Sequence, residues 1–226
     1  MEKQEIDQLY HQLRLLNVKD DILQKEAVAG IVSHLTDTHG DYTGLLRFLS
    51  YYGERFILPK VVEVLTSGPS QYTPRLPIIN FSRVIDIGAG FGWLGRGISN
   101  AFGLLPAVFV DKRQWILTDI VADIETTNGV KRILDILRDG DLIVMAEVLH
   151  CLENPTDTMQ CFSKWPKLVV EYSAKTDYQL SYEAQIKKFG CKQISDIRSV
   201  FPAAQIVTEC LDTHNIWLVL PNARKE

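Results

Sequence analysis

A chain of 226 residues with 46% hydrophobic content is long enough to bury the core of one generous domain with an appendage. Its 28 acidic side chains outnumber its 24 lysines and arginines, giving a net charge of −4, so a surface built to grip nucleic acid non-specifically is not expected. No apolar run approaches the length of a membrane span, and the polar opening MEKQEIDQLYHQ lacks a signal peptide's basic and apolar parts, so the expectation is a cytoplasmic protein without a membrane partner.

Residues 1–66 read as a helical N-terminal region. Ile6, Leu9, Leu13 and Leu16 recur at three- and four-residue steps, which puts them on one face of a helix. Asp20 or Asp21 can cap a second helix that buries Ile22, Val28, Ile31, Val32 and Leu35 and breaks at Gly40-Asp41. Two further helices are predicted over residues 45–52 and 59–65, the latter opening on Pro59 and closing near Gly68. Residues 67–82 carry Pro69, Pro74 and Pro77 among small polar residues and read as a linker.

From residue 83 to 226 the pattern alternates. Strands are predicted at 84–87, 107–110, 116–122, 142–146 and 167–170, with helices at 92–102, 130–137 and 156–163 between them. Residues 205–208 and 216–220 can pair antiparallel about a turn at 212–215. This order predicts an α/β fold, a doubly wound and mostly parallel sheet with an antiparallel C-terminal hairpin. The four cysteines, Cys151, Cys161, Cys191 and Cys210, include no CxxC pair and read as reduced thiols. His11, His34, His39 and His214 are dispersed and read as surface or helix residues, and no metal cluster is expected.

The segment Val84-Ile85-Asp86-Ile87-Gly88-Ala89-Gly90-Phe91-Gly92-Trp93-Leu94-Gly95 joins the first strand to a helix, where open α/β sheets bind ligands. Its glycines let the backbone approach a nucleotide-like ligand closely. Gly90, Gly92 and Gly95 satisfy the GxGxxG pattern of a dinucleotide site, but such a site starts directly after the strand, whereas here Asp86 to Ala89 intervene. A pyrophosphate would be repelled by Asp86, while a sulfonium and an amino group would be attracted. The register Asp-x-Gly-x-Gly-x-Gly therefore favours S-adenosylmethionine over a nicotinamide cofactor.

With these residues the sequence resembles the class I S-adenosylmethionine-dependent methyltransferase superfamily. VIDIGAGFG is similar to that family's first motif. The resemblance implies a cofactor site made by Asp86, Gly88, Ala89, Gly90 and Gly92, with Asp111 of VFVD on the ribose hydroxyls and Asp123 of IVADIE near the adenine amino group. Only eleven residues separate Asp111 from Asp123, so the helix usual between them must be very short or absent. DLIVMAEVLHCLENP resembles the fourth-strand segment of the family, and KLVVEY, ending in Glu171, the fifth strand of plant-type and hydroxyindole-type O-methyltransferases. His150 stands where those enzymes carry a general base, with Cys151-Leu152 in place of Asp-Trp, and Glu147 is the carboxylate expected to position it or to contact a ligand.

The resemblance implies methyl transfer to a hydroxyl or amine of a small molecule, with oxygen preferred. Methylation of a protein or RNA and a non-catalytic cofactor-binding module are the alternatives. No Asn/Asp-Pro-Pro-Tyr/Phe or Pro-Cys stands at strand four, which argues against methylation of DNA amino groups or of cytosine C5. The N-terminal helices read as a lid, or as the surface of a homodimer.

Overall fold

The computed structural model describes residues 53–67, 80–115, 117–172, 194, 197–202, 204–211 and 214–221. The helices expected over 1–52, the proline-bearing part of the linker, and His11, His34 and His39 lie outside the described residues.

A π-helical turn at Gly53–Ile57 runs into α1, Leu58–Ser67. Strand β1 (Arg83–Ile87) leads into α2 (Trp93–Phe102), and β2 (Val108–Asp111) is followed by the two-residue β3 (Ile120–Val121). After α3 (Thr127–Leu134) come β4 (Asp141–Ala146), a 3-10 turn at Leu149–Cys151, α4 (Pro155–Gln160) and β5 (Lys167–Tyr172). The short α5 (Ile197–Val200) precedes β6 (Gln205–Cys210) and β7 (His214–Leu220).

Seven strands form one sheet in the order β3-β2-β1-β4-β5-β7-β6. The first five are parallel; β7 inserts antiparallel between β5 and β6. The order reverses between β1 and β4, so the carboxyl ends of β1, β2 and β4 meet at a switch point where such sheets take ligands.

Alternation along each strand builds two cores. Val84, Leu142, Val144, Leu168 and Ile216 face one way, where Val61, Val64 and Leu65 of α1 and Trp93, Leu94 and Ile98 of α2 cover them. Ile85, Ile87, Ile143, Met145 and Val169 face the other way and pack with Ile133, Met159, Phe162 and Ile197. Strands buried on both faces read as continuous apolar runs, which is why β4 and β5 were plain in the sequence.

The differences from expectation have local causes. The β3 strand is confined to Ile120–Val121. The α3 helix starts three residues earlier than periodicity suggested, because the hydroxyl of Thr126 accepts the Gly129 N–H and caps it. His214 and Asn215, expected in a turn, belong to β7 and pair with Tyr172 and Glu171 of β5. His214 is thereby buried in a strand, contrary to the surface or helix position expected for it.

At the amino edge of the sheet, Arg83 of β1 grips Asp141 of β4 with two hydrogen bonds, Nε to Oδ1 at 2.9 Å and Nη2 to Oδ2 at 2.6 Å. The guanidinium also donates to the Ile136 carbonyl. Asp141 is 1% exposed, so removing the guanidinium strands a buried carboxylate, at a cost of about 3 kcal/mol. In urea unfolding, Arg83→Ala is expected to lose about that much, and the double variant Arg83→Met with Asp141→Leu to recover at least half of it. A loss below about 1 kcal/mol would show that water already screens the pair.

Candidate active site

The chain leaves β1 through three left-handed glycines: Gly88 at φ 68°, Gly90 at φ 52° and Gly92 at φ 66°. Other residues resist this conformation at a cost of about 1–2 kcal/mol each. Space is short as well. A Cβ on Gly88 would stand 2.4 Å from Val148 Cγ2, and one on Gly92 2.6 Å from Phe109 Cε1. The loop thus lies wedged between the end of β4 and the middle of β2. The N–H groups of Gly88 and Ala89 both donate to the Val110 carbonyl, closing the loop over β2.

Two acids fix this loop. Asp111, at the last position of β2, accepts the Gly90 N–H on Oδ2 at 3.0 Å and the Arg113 N–H on Oδ1 at 2.9 Å. A carboxylate oxygen has about two acceptor sites, so each oxygen of Asp111 keeps one beyond its backbone bond. Asp86 is 2% exposed and turns toward α2, where Oδ2 accepts the Gly95 N–H at 2.9 Å. That donor is one of the orphans of the first helical turn, and Gly92 at the N-cap has no side chain to satisfy it. The bond visible for Asp86 is therefore to the helix. Burial, reinforced by the charge of Asp111 and opposed by the Gly95 bond, pushes the Asp86 carboxyl up to about 7.

Asp123, two residues beyond β3, is half-buried. Its Oδ1 accepts the Glu125 N–H, and its carbonyl accepts both the N–H and the hydroxyl of Thr126. Two aromatic rings flank the Gly90–Asp111 bond in the chain, Phe91 and Trp115, with centroids 5.7 Å apart. Trp93 instead belongs to the core, where Gly53 packs against its indole.

At the end of β4, Glu147 is the one non-glycine among the described residues with positive φ, 58°. The sharp turn there aims two backbone donors back at β5. Glu171 Oε1 accepts the N–H groups of Val148 (3.0 Å) and Leu149 (2.7 Å), while Oε2 lies 2.5 Å from His150 Nδ1. Burial pushes the Glu171 carboxyl up and the facing imidazole pulls it back down, with the Glu147 charge adding to the upward push. Glu147 stands farther off, with Oε2 at 3.6 Å from His150 Nδ1 and Oε1 at 3.2 Å from His214 Nε2.

Glu147, expected from the sequence to position His150 or to contact a ligand, is not its nearest carboxylate; Glu171 makes the closer contact. The signal for Glu171 was one acid closing an otherwise apolar strand. Nothing in the sequence pointed to His214. Ligand atoms of Glu147, His150 and Glu171 lie within 4.8 Å of one another, so a cation could be considered there. The 2.5 Å between His150 and Glu171 is nevertheless a hydrogen-bond distance, whereas two ligands held at about 2.1 Å on a tetrahedral ion stand roughly 3.4 Å apart.

No family model and no curated protein matches the sequence. Solved structures do match. The CurJ carbon methyltransferase superposes with a TM-score of 0.50 at 16% identity, over 85% of this chain and 61% of that one. The mitomycin 7-O-methyltransferase MmcR superposes with a TM-score of 0.52 at 13% identity, over 95% of this chain and 66% of that one. The chain has the class I methyltransferase fold. It spans less than two thirds of the length of either neighbour. In this methyltransferase fold the glycine loop, Asp111 and the β4 turn all stand at the carboxyl edge of the sheet, and Gly88 in contact with Val148 joins the first to the last.

Asp86 yields a pH signature. A carboxyl raised from 3.8 to about 7 on folding binds its proton more tightly in the folded chain. Its contribution to stability is therefore largest below about pH 4 and is lost as pH rises toward 7. Urea unfolding at pH 5 and pH 8 is expected to show wild type losing more stability over this interval than Asp86→Asn. Parallel losses would show that Asp86 is ionised throughout.

Proposed function

We propose that the protein transfers the methyl group of S-adenosylmethionine to a hydroxyl or amine of a small molecule, with oxygen preferred. The observation that carries the cofactor is the charge of the carboxyl edge. Asp86, Asp111, Glu147 and Glu171 stand at the ends of β1, β2, β4 and β5, all buried or half-buried. Among the described residues, the buried basic groups beside them are the two imidazoles of His150 and His214. A pyrophosphate would meet these acids at a Coulombic penalty, whereas a sulfonium and an α-amino group would be attracted.

The donor set fits that ligand. Asp111 offers two rigid acceptors to a vicinal diol, and Phe91 with Trp115 offers aromatic surface beside them. Gly88, Ala89, Gly90 and Gly92 bring backbone rather than side chains to the same place, and Asp123, two residues beyond β3, is assigned to the adenine amino group. When bound, S-adenosylmethionine supplies an electrophilic methyl group on sulfur.

The acceptor must be deprotonated and aligned, and the chain's own groups provide for both. The Glu171 carboxylate accepts a hydrogen bond from the Nδ1–H of His150 and fixes the ring, which assigns proton acceptance to Nε2. As the acceptor's proton passes to Nε2, the charge on the imidazolium is balanced by Glu171 beneath it. Glu147 tunes this base from 3.6 Å. An imidazole held by Glu171 with Nε2 free to accept can take the proton of an acceptor hydroxyl, which supports oxygen as the acceptor atom. Assignment of residues 1–66 as a lid or dimer surface, and of residues 83–226 as the transferase domain, belongs to the same proposal.

Methyl transfer from labelled S-adenosylmethionine to a panel of phenols, alcohols, amines, proteins and RNA tests this reading. Activity on a small hydroxyl acceptor is expected, with His150→Ala lowering kcat by about 10²-fold or more and leaving cofactor affinity within about twofold. Glu171→Gln should lower kcat in the same direction. Unchanged turnover in His150→Ala, or transfer to protein or RNA alone, would contradict the proposal.

A further inference from the structure

The opposite, amino edge of the sheet carries a second constellation, independent of the proposed reaction. Where β5 begins and β7 ends, a cleft of 540 Å³ opens between α4, α5 and the sheet. Met159, Val200, Phe201, Val219 and Leu220 make most of its wall apolar. Lys167, the first residue of β5, also lines it.

Lys167 is an unusual residue to find there, being only 2% exposed. An ammonium has three N–H donors. Nζ donates one bond to the Trp165 carbonyl at 2.8 Å and stands 5.7 Å from the centroid of the Phe201 ring. Among the described residues no carboxylate pairs with it, and no residue lining the cleft is acidic. Lys164 adds a second positive charge at the exposed rim. Burial pulls the Lys167 ammonium down to about 8, so it stays largely charged at neutral pH.

A buried cation without an anion is a costly arrangement, and buried charges are ordinarily paired. Among the described residues that partner is missing, and the surroundings define it. One buried amine calls for one negative charge, and the apolar wall around it calls for an apolar body attached to that charge. We propose that this cleft binds an apolar-tailed monocarboxylate, its carboxylate paired with Lys167 and its tail packed against Val200, Phe201 and Leu220. The cleft lies across the sheet from the glycine loop, so ligand and cofactor can be held together. Because α4 follows directly on the His150 turn, occupancy at Met159 adjoins the element that carries the proposed base.

Titration calorimetry of the full chain at pH 7 tests this, with octanoate as probe and octanamide as its neutral counterpart. Octanoate is expected to bind and octanamide to bind at least about tenfold more weakly. Lys167→Met should weaken octanoate by a similar factor, and Ala204→Trp, which fills the apolar wall and leaves the amine, should weaken it too. Should Lys167→Met fail to unfold cooperatively, Ala204→Trp decides alone. Absence of octanoate binding at millimolar concentration, equal binding of the two probes, or undiminished octanoate affinity in a folded variant overturns the proposal.

Discussion

Backbone N–H groups that emerge at the carboxyl edge of a buried parallel sheet have no strand to pair with, and leaving them unpaired would cost about 1–3 kcal/mol each. Three carboxylates solve this here. Asp111 takes Gly90 and Arg113, Asp86 takes Gly95, and Glu171 takes Val148 and Leu149. The glycine loop, the start of α2 and the turn after β4 all hang on these bonds. Such charge-assisted bonds are short and directional, so the acids cannot drift.

The same solution creates the chemistry. Burial raises the proton affinity of Asp86 and Glu171, and the neighbouring charges of Asp111 and Glu147 add to it. An edge of that kind is complementary to a cationic ligand and to an imidazolium that forms during proton transfer. A fold requirement and a functional capacity are therefore met by one set of side chains. The left-handed backbone at Glu147 belongs to the same economy, since it turns the β4 end sharply enough for His150 to reach Glu171.

Much of this was legible in the sequence. The apolar runs at β4 and β5, the glycine register and Asp111 at the end of β2 carried the fold and the cofactor reading. What stayed hidden depends on contacts across long separations. Glu171 meets His150 from 21 residues away, and only the strand register brings them together. His214 looked like a turn residue because the chain around it is polar, yet β7 pairs it with Tyr172 inside the sheet. Charge, the glycine register and the family resemblance point Asp86 at a ligand; that its carboxylate bonds α2 follows from the alternation that puts it on the same face as Val84, beneath that helix. The start of α3 was missed because periodicity outweighed a cap, Thr126, that the sequence displayed openly.

A carboxyl edge built for S-adenosylmethionine has Asp111 as its principal side-chain contact. Titration calorimetry with S-adenosylmethionine, S-adenosylhomocysteine and NAD(H), on wild type and Asp111→Ala, tests it most directly. Both sulfur ligands are expected to bind, weakened roughly tenfold or more by the substitution as a charged hydrogen-bond partner is lost, and NAD(H) is expected not to bind. Binding of NAD(H) alone, or sulfur-ligand affinity indifferent to Asp111, would contradict it.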